Sequence, residues 1–252
     1  MGLVYKANMG LIRAYPKETL VVQKALMQTG QAQVKVEGSG LDPGEVEIIL
    51  LKLDQLAMSV QHEGIALMLA EEAESILAAI RMVKQESKES FMGIQGLGSS
   101  LDMVWLRPKH VGDSTLLNSA NTAGLGLYNG TNATVYNWLS SFIAGTSKDI
   151  IPEQTMVEEA AVIHLGLIDT VEIPKCNAIT FTLQGVSSPT QPLPFNIRPS
   201  VGSEALPFVR FEKPIIVGPE KKQKVTLVPN ITGDSKVELL SLLITKASLL
   251  VA

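Results

Sequence analysis

The chain has 252 residues, 46% of them apolar and 18% charged, and a formal net charge of −4. It can bury a large core, as one large β domain with helical additions or as two smaller domains, and it is too apolar to be an intrinsically disordered protein. Its single cysteine, Cys176, excludes an intrachain disulfide and a cysteine-based zinc cluster. The low charge and a mean hydropathy of +0.22 suit a well-filled core and apolar surface buried between subunits equally well.

Charge is uneven along the chain. Residues 1–44 carry a net +2, residues 45–90 a net −5 and the remainder a net −1. No basic arm or stripe of the kind that neutralises phosphates is present, and Lys221, Lys222 and Lys224 form too small a cluster to count. Direct nucleic-acid binding is therefore not expected.

Residues 1–44 read as an extended N-terminal arm. The runs Thr19–Ala25 and Gln31–Glu37 look like short strands, closed by Gly38-Ser39-Gly40. Lys6 and Arg13 sit where a signal peptide would need an apolar run, so secretion by that route is not expected. A helix start follows: Asp42 suits the N-cap, Pro43 the first helical position, and Glu45 and Glu47 the positive end of the helix dipole.

From there to Ser90 the chain is poor in Gly and Pro and reads as one long helical segment, or two divided at Gly64. Ile49, Leu53, Leu56 and Val60, and later Ile76, Ile80 and Val83, recur at helical spacing. A helical stretch of that length fits a core helix or one packed between neighbouring subunits. Met58, Met68, Met82 and Met92 are expected to fill gaps in that packing.

After residue 90 the composition turns β-branched and rich in Gly, Asn, Thr and Pro. Leu101–Leu106 reads as a strand ended by Pro108, and Val135–Ile143 as a strand or short helix. Strands are expected at Met156–Ile173 (as one, or as two split at Gly166), Ala178–Val186, Phe208–Phe211, Pro214–Val217, Lys224–Val228 and Val237–Val251. Such short strands between turns predict a β-sandwich or barrel over 91–252. The apolar runs Gly64–Ala70 and Leu239–Thr245 are bounded by charges and fall short of the roughly 20 residues a membrane span needs, so no transmembrane segment is expected.

Enzyme motifs largely fail. His62, His110 and His164 are dozens of residues apart. His62-Glu63 opens like a metalloprotease helix, but Ala66 stands where the second ligand belongs. Gly124, Gly126 and Gly130 are one residue out of register for a dinucleotide loop, and no phosphate loop or Gly-x-Ser-x-Gly elbow occurs. Glu71, Glu72 and Glu74 read as a solvated helix face. Asn129, Asn132 and Asn230 head Asn-x-Ser/Thr triplets, read as turn chemistry. No catalytic, cofactor-binding or metal-binding residue is singled out, and no cofactor is expected.

The segment Phe211–Asn230, FEKPIIVGPEKKQKVTLVPN, reads as strand, Gly218-Pro219 turn and strand, with a long apolar strand after it. It resembles the end of the jelly-roll domains of virion proteins, particularly major capsid proteins of icosahedral viruses. The resemblance implies a β-sandwich or jelly roll preceded by an arm and a long helix, tying the subunit to copies of itself and to other virion proteins. It implies a virion location, assembly in the host cytoplasm, and no enzymatic activity. The long helix before a Gly-rich region is also similar to the other common phage capsid architecture, with a spine helix and an extended loop, which ranks second. Two further readings are a β-sandwich binding module on a virion or surface appendage, and a hydrolase whose His110 or His164 meets distant partners.

Overall fold

In the computed structural model, residues 40–60, 63–93, 100–111, 138–169, 174–184, 193–194 and 208–250 are described. The expected strands of the arm lie outside them. Among the described residues three helices come first: α1 (Pro43–Val60), α2 (Glu63–Glu71) and α3 (Ala73–Ser87). Asp42 caps α1 by accepting the Gly44 N–H at 2.8 Å, and Glu45 reaches back to the Asp42 N–H at 2.8 Å. The second carboxylate oxygen of Glu45 accepts the Phe91 N–H, and its side chain also pairs with Lys84 near the end of α3. One acidic residue thus ties together the start of α1, the end of α3 and the entry to the β region.

The helical segment is broken at Glu72 rather than at Gly64, which lies inside α2; residues 61 and 62, between α1 and α2, lie outside the described residues. At Glu72 the backbone leaves helical geometry (φ −93°, ψ 9°). Arg210, from the β region, binds both Glu71 and Glu72 at this break.

Nine strands follow among the described residues: β1 (Leu101–Trp105), β2 (Trp138–Phe142), β3 (Lys148–Thr155), β4 (Ala160–Asp169), β5 (Cys176–Leu183), β6 (Leu193–Pro194), β7 (Phe208–Val217), β8 (Lys222–Pro229) and β9 (Gly233–Lys246). A short helix, α4 (Ala247–Leu250), ends the described chain. The strands form two antiparallel sheets. One has the order β1-β9-β4-β7, with β2 beside β1 along the same edge of β9; the other has the order β3-β8-β5-β6. Among the described residues, the chain is mostly β.

Alternation along the strands divides the core in two. Ala161, Ile163 and Leu165 of β4, and Leu240, Leu242 and Ile244 of β9, join Ile49, Leu53, Ile76 and Ile80 of the helices in one buried cluster. Their neighbours Val162, Leu167, Val237, Leu239 and Leu243 join Ile151, Ile179, Phe181, Val225 and Leu227 of the other sheet in a second. The first sheet is therefore a middle layer, and every residue of β4 is buried. A fully buried Leu or Ile stabilises by about 1.5–3 kcal/mol relative to an exposed one, so these two clusters dominate the energetics.

Two local features fix the register. The expected division at Gly166 is a bulge within one strand: His164 pairs with Ser241 of β9 and Gly166 with Leu240. A Cβ at Gly166 would stand 2.2 Å from the Val209 carbonyl oxygen, so only glycine lets β7 approach there. Opposite it, Phe211–Pro214 leave the β4 ladder, which is why the two strands expected over 208–217 are one interrupted β7. The helices are held to the sheet by polar links as well. Lys52 of α1 forms a buried ion pair with Asp102 of β1 at 2.9 Å. The Trp105 indole N–H donates to the Leu56 carbonyl and the Ser59 hydroxyl, both at 3.2 Å.

Candidate functional site

Of the two described histidines, His164 has the more developed environment. It is fully buried on β4, facing the second sheet. Its Nε2 lies 2.8 Å from Oε1 of Gln223 on β8, and its Nδ1 lies 2.8 Å from Oγ of Ser241 on β9. The neutral ring is satisfied with Nε2–H donating to Gln223 and the Ser241 hydroxyl donating to Nδ1. Gln223 turns its amide nitrogen to the Met156 sulfur at 3.4 Å. Phe181 packs against the imidazole at 5.0 Å between ring centroids, and Phe211 meets Phe181 edge-on. Burial pushes the His164 pKa down to about 4, against a smaller opposing effect of the Gln223 hydrogen bond. A histidine beside a serine resembles a base beside a nucleophile, yet both residues have no exposed surface. The arrangement pins one sheet to the other.

The remaining candidates are dispersed. His110 ends a short 3₁₀ turn after β1, where its Nδ1 accepts the Arg107 N–H at 3.0 Å. His62, Gly124, Gly126, Gly130, Asn129 and Asn132 lie outside the described residues. Cys176 is buried; desolvation, then the nearby Asp169 carboxylate, pushes its thiol up to about 12. Glu71 and Glu72 are engaged by Arg210. Lys222 and Lys224 face Glu153 and Asp149 of β3, so the small basic cluster is largely compensated. Asn230 sits in the β8–β9 turn, where its N–H donates to the Lys175 carbonyl at 2.9 Å. Met68 is packed as expected, but Met82 and Met92 are 43% and 41% exposed. No group of three or more His, Cys, Asp or Glu side chains is placed to hold a metal, and no helix is long and apolar enough to cross a membrane, among the described residues.

Sequence reasoning missed Gln223, Ser241 and the pair Lys52–Asp102. For Gln223 there was a signal. In the run KKQKV it is the inward-facing position of an alternating strand, and a polar residue there needs a buried partner.

The surface is where the site-like features lie. The sheet edges are blunted: β7 carries exposed Glu212 and Lys213 before Pro214, β3 carries Lys148, Asp149 and Pro152 with two register shifts, and β6 is two residues long. Large apolar side chains are exposed instead on turns and helices, at Ile143 (65%), Ile231, Leu67, Met82 and Met92.

No family model matches the chain, and no curated protein matches it. Solved structures similar to part of it include dimeric latent PorU from Porphyromonas gingivalis, at 10% identity and a TM-score of 0.27, over 63% of this chain and 14% of that one. Another is a ruminal GH26 endo-β-1,4-mannanase, at 11% identity and a TM-score of 0.24, over 63% of this chain and 27% of that one. The chain thus spans less than a third of the length of either. Likenesses at this level carry no argument about what the chain does.

Proposed function

We propose that the chain is a structural, self-assembling subunit of the jelly-roll class, a coat protein that builds a viral shell from copies of itself. The observation that carries this reading is the strand order. β2, β3, β4 and β5 pair with β9, β8, β7 and β6 in turn, as in one long antiparallel hairpin. The pairings β4–β9 and β5–β8 then roll that hairpin into two four-stranded sheets. That is the doubled Greek key of a jelly roll, with β1 and the helices added to one sheet. Fold alone does not assign function, so the surface matters. Sealed titratable groups, blunted edges and apolar side chains presented on rigid turns and helices suit a scaffold whose work is contact with other subunits.

Jelly rolls also serve as ligand-binding modules, and the same strand order favours that as the second reading. Light scattering of the purified protein, with negative-stain images of the same fractions, separates the two. Particles, sheets or capsomer-sized oligomers are expected. A protein that stays monomeric at high concentration would sink the shell reading, and a small closed oligomer would favour the binding module.

A further inference from the structure

The two gaps on either side of the first sheet hold polar groups of different kinds. On the helical side Lys52 pairs with Asp102 and Glu45 with Lys84, so charge there meets opposite charge. Between the sheets the polar groups are neutral. His164 reaches across to Gln223 of β8, while Ser241 of β9 donates to its other nitrogen. Gln154, opposite Gln223 on the β3–β8 ladder, buries its Oε1 without a hydrogen-bond partner.

A second proton on the ring turns the Ser241 hydroxyl from donor to acceptor and leaves a cation beside Phe181 and the Gln223 amide. Among the described residues no carboxylate pairs with that cation. β5 brings only the Cys176 thiol. Lys222 and Lys224 of β8 point outward to Glu153 and Asp149 of β3, and Lys148 is exposed. On β9, Asp234, Lys236, Glu238 and Lys246 alternate with the residues that face the gap, and share the side of Leu240, Leu242 and Ile244. On β7, Arg210 binds Glu71 and Glu72, and Glu212 and Lys213 are exposed. In the β3–β4 turn Glu158 is exposed and Glu159 pairs with Lys246. Asp169 does face the gap, but it lies roughly 15 Å along β4, where Ser235 holds it.

Water relieves such a charge only if the sheets part, and parting hydrates Gln154 as well. We propose that His164 is an acid switch between the sheets: on protonation the second sheet, β3-β8-β5-β6, lifts from the first while the helical layer stays docked. The apolar inner faces of both sheets are then exposed. The ties that hold the helices, Lys52–Asp102, Arg210 with Glu71 and Glu72, and the Trp105 indole, involve no histidine. The inference goes beyond the assembly reading and does not depend on it.

Cys176 serves as the reporter, since it is the single cysteine and is buried in this gap with Ile179 and Phe181. Its labelling by dithiodipyridine in the full chain, relative to the urea-unfolded chain at the same pH, reads the opening. If the opened gap returns His164 to its ordinary pKa, opening rises about 60-fold between pH 7 and pH 4.5. Labelling should accelerate by that order, while deuterium exchange shows the α1 and α3 amides still protected. His164→Gln cannot take up the proton, and Gln223→Glu gives the ring a counter-charge, so each should lose most of the acceleration. Should one variant fail to fold, the other decides. Helical amides that lose protection in step with Cys176 labelling would mean global unfolding and overturn the selective opening. Wild-type labelling that does not accelerate, or folded variants that accelerate like wild type, would remove His164 as the trigger.

Discussion

His164 makes the stability of the protein depend on acid. Its pKa is about 4 in the fold and about 6.5 when exposed. Above pH 6.5 the ring is neutral folded or unfolded, and it adds no pH dependence. As pH falls from 6.5 towards 4, the unfolded chain takes up a proton that the folded chain refuses. Stability therefore drops through that window, by about 3 kcal/mol in all. Urea unfolding of wild type and His164→Gln at pH 7 and pH 4.5 measures this. The variant keeps a hydrogen-bonding side chain and should show the shallower loss; equal losses would place the acid sensitivity elsewhere. Glu45 contributes at lower pH. Burial acts to raise its pKa, but Lys84 and the Asp42 and Phe91 N–H groups outweigh that and hold the carboxyl below its usual value. Its contribution is present above the ordinary carboxylate range and fades as the pH falls through its depressed pKa.

At the scale of elements, the link between α1 and β1 is the most exposed to mutation. The Lys52 and Asp102 side chains are 7% and 5% exposed. Lys52→Met leaves a buried carboxylate without its cation and should cost about 3–5 kcal/mol, whereas Lys52→Met/Asp102→Leu should recover much of that. Denaturant midpoints of the two variants check this, and a double variant as unstable as the single would mean that the pair is not what holds the helix down. Element type was largely legible in the sequence because its signals are local. Asp42-Pro43 marks the start of α1, and the inward–outward alternation of β8 is plain in KQKVTLVP. The strand β3, KDIIPEQT, was not legible. No strand was expected there, since its proline and charges obscure any alternation, and it is a strand because β8 supplies the ladder. Likewise, the continuity of β4 through Gly166 depends on β7 and β9 approaching from either side.

For the whole molecule, the helices are part of the folding unit that includes the first sheet. A chain beginning at residue 100 would leave Leu101, Met103, Ile163, Leu242 and Ile244 without cover. It should be insoluble or bind a hydrophobic dye strongly, as seen by dye fluorescence and sedimentation; a well-behaved monomer would show that the helical layer is dispensable. The sequence revealed a helical block and a β block, but not that they share a core, because the contacts between them are distant in the chain, from 46 positions for Trp105 and Ser59 to 139 for Arg210 and Glu71. The tip formed by the 143–146 and 230–232 turns was still less legible. Ile143 reads in sequence as the end of a strand, and only the hydrogen bonds to the 229–232 turn make it a tip.

The place of β9 in the chain has a further consequence. It lies at the centre of the first sheet, pairs with β1, β2 and β4, and feeds both buried clusters, yet it is the last of the described strands to be made. During synthesis the earlier strands have no central partner, and neither core can close until β9 itself has emerged. Both buried clusters are therefore completed in one step, when β9 docks.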